Sequence, residues 1–111
     1  MAAKNTHDSR LFRLSREITD VIKELERPFL IAIDSDLSTD NRCVGRPDLF
    51  IYKRGDIYLV EYKCNDKREE IIRLAKNQLT KHYNFIRDNL DYESISLHLV
   101  YGLPFKHERI K

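Results

Sequence analysis

Two carboxylates and a lysine flank a short stretch that contains a single glycine. Asp48 precedes one apolar run, and Glu61 and Lys63 stand at the end of a second. Carboxylate oxygens are the ligands that hard divalent cations prefer, so these side chains could hold such a cation if the fold brings them together. The alternative is that the two acids are ordinary surface carboxylates at a strand end, with a salt bridge to Lys63.

A β-hairpin is the element that must position these side chains. Leu49–Tyr52 and Ile57–Tyr62 are apolar and aromatic runs, and Lys53–Asp56 between them contains the glycine. Two runs rich in aromatic and branched residues on either side of a glycine-containing break are typical of a hairpin.

The register of the hairpin decides which side chains meet. If Arg54 and Gly55 form a two-residue loop, counting outward places Asp48 opposite Glu61. Side chains alternate along a strand, so Lys63 lies on the face of Glu61. A four-residue loop gives the same pairs, whereas an odd-length loop shifts them. Opposed like charges destabilise a sheet unless a positive group lies between them.

The remaining elements are predicted from periodicity and turn residues. We expect an amphipathic helix over Ser9–Glu26, a strand buried on both faces over Phe29–Ile33, a helix from Lys67 to about Asn89, and a strand over Ile95–Tyr101. Residues 34–41 read as a polar turn segment, and Phe105–Lys111 as a basic tail without regular structure.

Each predicted helix carries one apolar stripe, and the second has a candidate N-cap at Asn65 or Asp66. Glu17 borders the first stripe. The stripes consist of Leu11, Leu14, Ile18, Val21, Ile22 and Leu25 in the first helix, and of Ile72, Ala75, Leu79, Tyr83, Ile86 and Leu90 in the second.

The order of elements predicts an α/β fold. Both faces of the hairpin are apolar, so we expect helices on both sides of a mixed sheet. If the last strand is parallel to the second strand of the hairpin, the strand–helix–strand crossover from Glu61 to Leu99 is right-handed. The 111 residues suit one domain, with an N-terminal arm over residues 1–8 and a basic tail over residues 102–111.

Composition excludes several classes of protein. The net charge of +2 is too small to indicate a nucleic-acid binder by itself, so any attraction to phosphates must be local. No apolar run is long enough to cross a membrane and the N-terminus does not resemble a signal peptide, so we expect a cytoplasmic protein. Cys43 and Cys64 have no disulfide or zinc-site spacing, and the four histidines are scattered and read as structural.

Pro47-Asp48 followed, after a hairpin, by Glu61-Tyr62-Lys63 resembles the motif of the PD-(D/E)xK nuclease superfamily. The segment Gly45–Leu49 is most similar to archaeal Holliday-junction resolvases and virus-type replication-repair nucleases. The resemblance covers nearly the whole chain and implies an α-β-β-β-α-β restriction-endonuclease-like core.

The resemblance also implies a metal site. Asp48 and Glu61 would bind Mg²⁺, for which Mn²⁺ can substitute, and the backbone carbonyl of Tyr62 would be a third ligand. A glutamate of the first helix would complete the site; Glu17 fits in order and offset, and Glu24 or Asp20 could take its place.

Two further residues have expected roles beside the metal. Lys63, flanked by carboxylates, should remain protonated and orient water or stabilise developing negative charge. Gln78 matches a helix glutamine of the superfamily that supports the site. Five basic residues are candidates for phosphate contact, although each could equally be a solvated surface charge: Arg42, Arg46, Arg73, Lys76 and Lys81.

These expectations combine into two functions. The first is a Mg²⁺-dependent DNA endonuclease, selective for DNA structure as a junction resolvase is, and acting as a homodimer. The second is a non-catalytic nucleic-acid-binding module, or a subunit of an assembly, that retains the nuclease fold. Nothing in the sequence distinguishes DNA from RNA.

Overall fold

In the computed structural model, which describes residues 6–65 and 67–111, two helices are followed by five strands, a long helix and two further strands. They are α1 (Thr6–Arg16), α2 (Ile18–Val21), β1 (Leu30–Ile33), β2 (Leu37–Thr39), β3 (Arg42–Gly45), β4 (Leu49–Lys53), β5 (Asp56–Lys63), α3 (Arg68–Asn89), β6 (Ser94–Tyr101) and β7 (Lys106–Arg109).

The predicted α/β architecture is confirmed: a mixed sheet lies between helices. Five strands form this sheet in the order β1-β4-β5-β6-β7, and β2 pairs with β3 in a separate hairpin. Strand β5 is central, antiparallel to β4 and parallel to β6. Helix α3 makes the connection between the two parallel strands, as such a pair requires.

The hairpin of β4 and β5 has the predicted register. Lys53 pairs with Asp56, and Phe50 pairs with Leu59. Arg54 and Gly55 form the loop with φ values of 51° and 90°. Two consecutive positive φ angles match the right-handed twist of the strands, which is why glycine stands at the second position.

Apolar side chains form two cores, one on each face of the sheet. Helices α1 and α2 cover one face, where Leu14 and Ile18 pack against Ile51 and Val60. Helix α3 covers the other face, where Leu79 packs in a cluster with Ile57, Leu59, Leu97 and Leu99. Alternation along β5 therefore assigns its even-numbered residues to α1 and its odd-numbered residues to α3.

The prediction of a single first helix over Ser9–Glu26 is wrong. Helix α1 ends at Arg16, and Glu17 adopts φ −100° and ψ 13° before the short helix α2 begins. The apolar residues Ile18, Ile22 and Leu25 are buried all the same. The spacing of apolar residues indicates which side chains are buried. A break in the helix that keeps the same side chains buried does not change this spacing, so the sequence pattern cannot show it.

The predicted N-terminal arm is also shorter than expected. Residues 6–8 already belong to α1, while residues 1–5 lie outside the described part of the chain. Asp66, one of the two candidate caps of α3, lies outside it as well. The other candidate, Asn65, is not the N-cap: that position is Lys67, which makes no side-chain capping hydrogen bond, and Asn65 only accepts a hydrogen bond from the backbone N–H of Lys67.

Strand β1 is not buried on both faces as predicted. It lies at the edge of the sheet, where Leu30 is 71% exposed and Ile33 is 39% exposed. A short apolar run predicts a strand but does not specify its place within the sheet, and here only the inner neighbour β4 pairs with it.

Three strands were not predicted. Strands β2 and β3 occupy the segment read as a polar turn and its continuation, and β7 occupies the tail. Their short sequences are mostly exposed and lack apolar alternation. Strand β7 is held by backbone pairing with β6 and by a hydrogen bond of 2.8 Å between the rings of His98 and His107.

Helix α3 is rotated slightly from the predicted stripe. Ile71 and His82 are buried, whereas their neighbours Ile72 and Tyr83 are only partly buried and Leu90 is exposed. In the described part of the chain, no helix combines the length and the apolar character needed to cross a membrane.

The turn provides a test of the fold. Arg54→Asn should raise the free energy of unfolding by about 0.5 kcal/mol, because asparagine tolerates positive φ better than arginine. Gly55→Ala should lower it by about 1 kcal/mol or more, since φ is +90° and an added Cβ would lie 2.9 Å from Cγ of Glu93. Urea unfolding measures both, and equal stability of the three proteins would contradict the turn geometry.

Candidate functional site

The two acids of the motif meet at the end of the β4–β5 hairpin. Asp48 immediately precedes β4, and Glu61 lies on β5 one pair beyond the bonded residues Leu49 and Val60. Both side chains are almost completely buried, with 9% and 2% of each residue exposed, and the two carboxyl groups are hydrogen-bonded to each other. The register therefore brings both acids to the same face of the sheet.

A hydrogen bond between two carboxyl groups requires a proton, and the environment of Glu61 explains why it is retained. Burial raises the pKa of Glu61 to about 9, and the negative charge of Asp48 and its hydrogen bond act in the same direction. Lys63 and the backbone N–H of Asp48 oppose the shift but do not cancel it. Glu61 is therefore neutral at pH 7, and a cation bound beside it would favour its ionised form.

The carboxylate of Asp48 is fixed from β5. Its Oδ2 atom accepts a hydrogen bond of 2.7 Å from the backbone N–H of Tyr62. The backbone carbonyl of Asp48 in turn accepts a bond of 3.0 Å from the N–H of Asp34. The acid cannot rotate away from Glu61 without breaking a buried hydrogen bond to a charged group.

Lys63 and Gln78 lie together beside this pair. The ammonium group of Lys63 donates a hydrogen bond of 2.7 Å to Oε1 of Gln78, a residue in the first half of α3. The structure thus brings together four of the predicted site residues: Asp48, Glu61, Lys63 and Gln78.

His82 is a further neighbour of Glu61 that sequence reasoning missed. Its Nδ1 atom lies 3.4 Å from Oε1 of Glu61, and His82 is only 4% exposed. Burial lowers the pKa of His82, as does the charge of Lys81, so the imidazole is neutral. The available signal was its helical spacing from Leu79 and Ile86, which places a polar ring in an apolar stripe.

His7 approaches the site from α1. Its Nε2–H donates a hydrogen bond of 3.1 Å to the backbone carbonyl of Tyr62 and lies 3.5 Å from Oδ2 of Asp48. These are the two oxygens expected to bind the metal together with Glu61. No sequence spacing links His7 to them, because the contact depends on where α1 crosses the end of the sheet.

The carboxylates proposed from the first helix do not join the pair. Oε2 of Glu17 accepts a bond of 2.7 Å from Arg13, its neighbour one turn earlier, and 41% of its side chain is exposed. Oε1 of Glu24 lies 3.6 Å from Arg109, near the buried His98. Among the described residues, no contact connects either acid, or the exposed Asp20, with Asp48 or Glu61.

All five candidate phosphate contacts are exposed, but their surroundings differ. Arg42 and Lys81 line one depression of about 330 Å³ between β3 and α3. Arg46 is paired with Asp36 at 2.8 Å, so its charge is largely compensated. Arg73 and Lys76 lie on the outer face of α3.

The donors at this site match a cation that keeps much of its water. Over residues 6–65 and 67–111, no three His, Cys, Asp or Glu side chains are arranged to hold a metal ion. Two carboxyl groups and a carbonyl are nevertheless the donor set with which proteins bind Mg²⁺, whose other ligands are waters and phosphates. Oε1 of Glu61 is buried and has no hydrogen-bond partner among the described residues, so its lone pairs are open to a cation or to a hydrogen-bond donor.

Neither models of known protein families nor sequences of characterised proteins match this chain. The functional assignment therefore depends on the geometry of the site and on the motif.

The buried acid makes a testable contribution to stability. Between pH 4.5 and about 9, unfolded Glu61 is ionised while folded Glu61 keeps its proton, so the free energy of unfolding should fall as pH rises through this window. The loss can reach about 1.4 kcal/mol per pH unit. Thermal unfolding in EDTA should show this decline of the free energy of unfolding in the wild type. The decline should be smaller in Glu61→Gln, because glutamine does not titrate.

Glu24→Gln is the control for that measurement, because Glu24 is half-exposed and lies on the other face of the sheet. It should follow the wild-type pH dependence. Parallel curves for the wild type and Glu61→Gln would show that Glu61 is not a buried, protonated acid.

Proposed function

We propose that this protein is a metal-dependent DNA nuclease of the PD-(D/E)xK type. The observation that carries the proposal is the hydrogen-bonded pair of Asp48 and Glu61, with Lys63 next to it on the same strand. A domain that binds no cation has no evident use for two contacting buried acids, because keeping them together requires Glu61 to stay protonated far above its ordinary pKa.

The order of elements supports the same proposal. Helix α1, strands β1, β4 and β5, helix α3 and strand β6 follow the α-β-β-β-α-β sequence that the motif implies. The β2–β3 hairpin and strand β7 would be additions to this core.

In this proposal Asp48, Glu61 and the carbonyl of Tyr62 hold Mg²⁺ or Mn²⁺. When bound, the cation supplies positive charge at the phosphate and lowers the pKa of a bound water. Asp48 is kept in place for this role by the N–H of Tyr62, and Glu61 must lose the proton that it shares with Asp48. Cation binding should therefore release protons and tighten as pH rises.

Lys63 and Gln78 have the complementary role. Gln78 accepts a hydrogen bond from the ammonium group of Lys63 and so restricts the long side chain of Lys63 to one position. A fixed ammonium group next to the acids can orient a water and stabilise the charge that develops on a phosphate oxygen.

The surface of the domain suggests how DNA would be bound. Arg42 and Lys81 line the depression between β3 and α3, on the α3 side of the sheet where Glu61 also lies. Phosphate contacts of this kind bind DNA without reading its sequence. So small a domain would select DNA by shape, and a homodimer acting on a junction is the first activity to examine.

Cleavage assays test the nuclease. Supercoiled plasmid, four-way junctions, flaps and single strands should be cut with Mg²⁺ or Mn²⁺ but not with EDTA. Glu61→Gln should lose about 100-fold or more in rate, and Lys63→Ala a comparable factor. Glu24→Gln should retain wild-type activity, and Glu17→Gln should as well, because Glu17 contacts Arg13 instead of the acids.

A non-catalytic binding module is the second candidate, and it is favoured by the burial of Glu61, which raises the pKa of this acid and keeps it protonated as long as no cation is bound. Such a module would bind the same substrates tightly and cut none of them with either metal. RNA versions of the substrates, included in the same assay, identify the sugar.

The basic depression gives an independent test on binding. The Arg42→Ala/Lys81→Ala double variant should weaken binding to DNA uniformly across sequences, because its contacts are to phosphates. It should also reduce the slope of log affinity against log salt by about 2. As a control, Lys23→Ala replaces an exposed lysine between α2 and β1 and should leave the slope unchanged. An unchanged slope in the double variant would exclude the depression lined by Arg42 and Lys81 as a DNA-binding surface.

A further inference from the structure

Two buried polar atoms beside the acids have no hydrogen-bond partner among the described residues. They are Oε1 of Glu61 and Nδ1 of His82, and they lie 3.4 Å apart. A buried polar atom without a partner costs about 1–3 kcal/mol, so an unpaired donor facing an unpaired acceptor calls for an explanation. The distance is a few tenths of an ångström too long for a good hydrogen bond, and a small movement would close it.

The imidazole of His82 is held from its opposite edge by β3. A Cβ atom added to Gly45 would lie 2.7 Å from Cδ2 and 2.8 Å from Nε2 of His82. The ring thus packs directly on the backbone of β3 along its Cδ2–Nε2 edge, while Nδ1 faces Glu61. Any other residue at position 45 would push the ring out of this place.

The neighbours of the His82 imidazole indicate which of its two ring nitrogens carries the proton. Within the described part of the chain, Nδ1 is the ring nitrogen that lies near a carboxyl oxygen, 3.4 Å from Oε1 of Glu61, and an N–H is the group from which a carboxylate accepts a hydrogen bond. A neutral imidazole with its proton on Nδ1 therefore complements an ionised Glu61. Besides Glu61, the charged residues Lys81 and Asp48 act on the ring.

We propose that His82 is a positioning residue of the metal site: its Nδ1–H donates a hydrogen bond to Oε1 of Glu61 in the cation-bound protein and holds the carboxylate in its binding orientation, while Gly45 gives the ring the room it needs. The inference rests on the proposed function, since it concerns the same site. It also joins the β2–β3 hairpin to the acids through one side chain.

Binding of Mn²⁺, measured by electron paramagnetic resonance of the free ion, tests this role without reference to activity. His82→Ala should weaken Mn²⁺ binding about 10- to 100-fold, as removal of such supporting partners does. His82→Asn, whose amide nitrogen lies near the position of Nδ1, should bind within about threefold of the wild type. His82→Gln, whose amide nitrogen lies near Nε2 instead, should resemble His82→Ala.

Gly45→Ala provides a second test through the same contact. In the wild type it should displace the ring and weaken Mn²⁺ binding, whereas in His82→Ala it should have no further effect because the space is open. Additive losses in the double variant, or equal affinities of His82→Ala and the wild type, would overturn the inference. The first test is decisive even if one variant unfolds, because three substitutions and the wild type report on the same hydrogen bond.

The two proposals fail in different ways. Wild-type protein that binds no Mn²⁺ would overturn the metal site and the role of His82 together. Wild-type binding that is lost in Glu61→Gln but unaffected by every His82 variant would overturn only the role of His82 and leave the metal site in place.

Discussion

Two carboxyl groups in contact within a protein interior cannot both be charged unless a positive group compensates them, and the arrangement around Asp48 and Glu61 follows from this constraint. One proton satisfies it in the isolated protein, and the pKa of Glu61 is raised accordingly. The neighbouring groups act on the two acids differently: the N–H of Tyr62 donates a hydrogen bond to Asp48, while burial opposes the charge on Glu61. In the proposed function, a divalent cation replaces the proton.

The division of the sheet into two faces explains why the supporting residues come from α3. Side chains alternate along β5, so Glu61 and Lys63 face α3, and Val60 and Tyr62 face α1. The helix that completes the crossover between the two parallel strands therefore passes directly over the acids. It carries Gln78 and His82 one turn apart, and these reach Lys63 and Glu61 respectively.

The residues show which parts of this arrangement local sequence encodes. The meeting of Asp48 and Glu61 was predictable, because it needs only an alternating pattern and a glycine at the turn. His82 was missed because Tyr83 next to it is the more apolar choice for the stripe, and the rotation of α3 depends on its packing against β5, β6 and β3. The approach of His7 and the pairing of β7 depend on how distant segments pack, which neither periodicity nor composition records.

The tight turn at Arg54 and Gly55 also limits how the length of this hairpin can change. Adding one residue to each strand moves the acids farther from the loop but leaves them directly opposed. Adding a single residue to one side sends one acid to the α1 face and the other to the α3 face, unless a bulge absorbs it. Whether the number of residues between the two acids is even or odd is therefore constrained more tightly than the number itself. Variants of the hairpin that keep the acids paired should differ in length by an even number of residues.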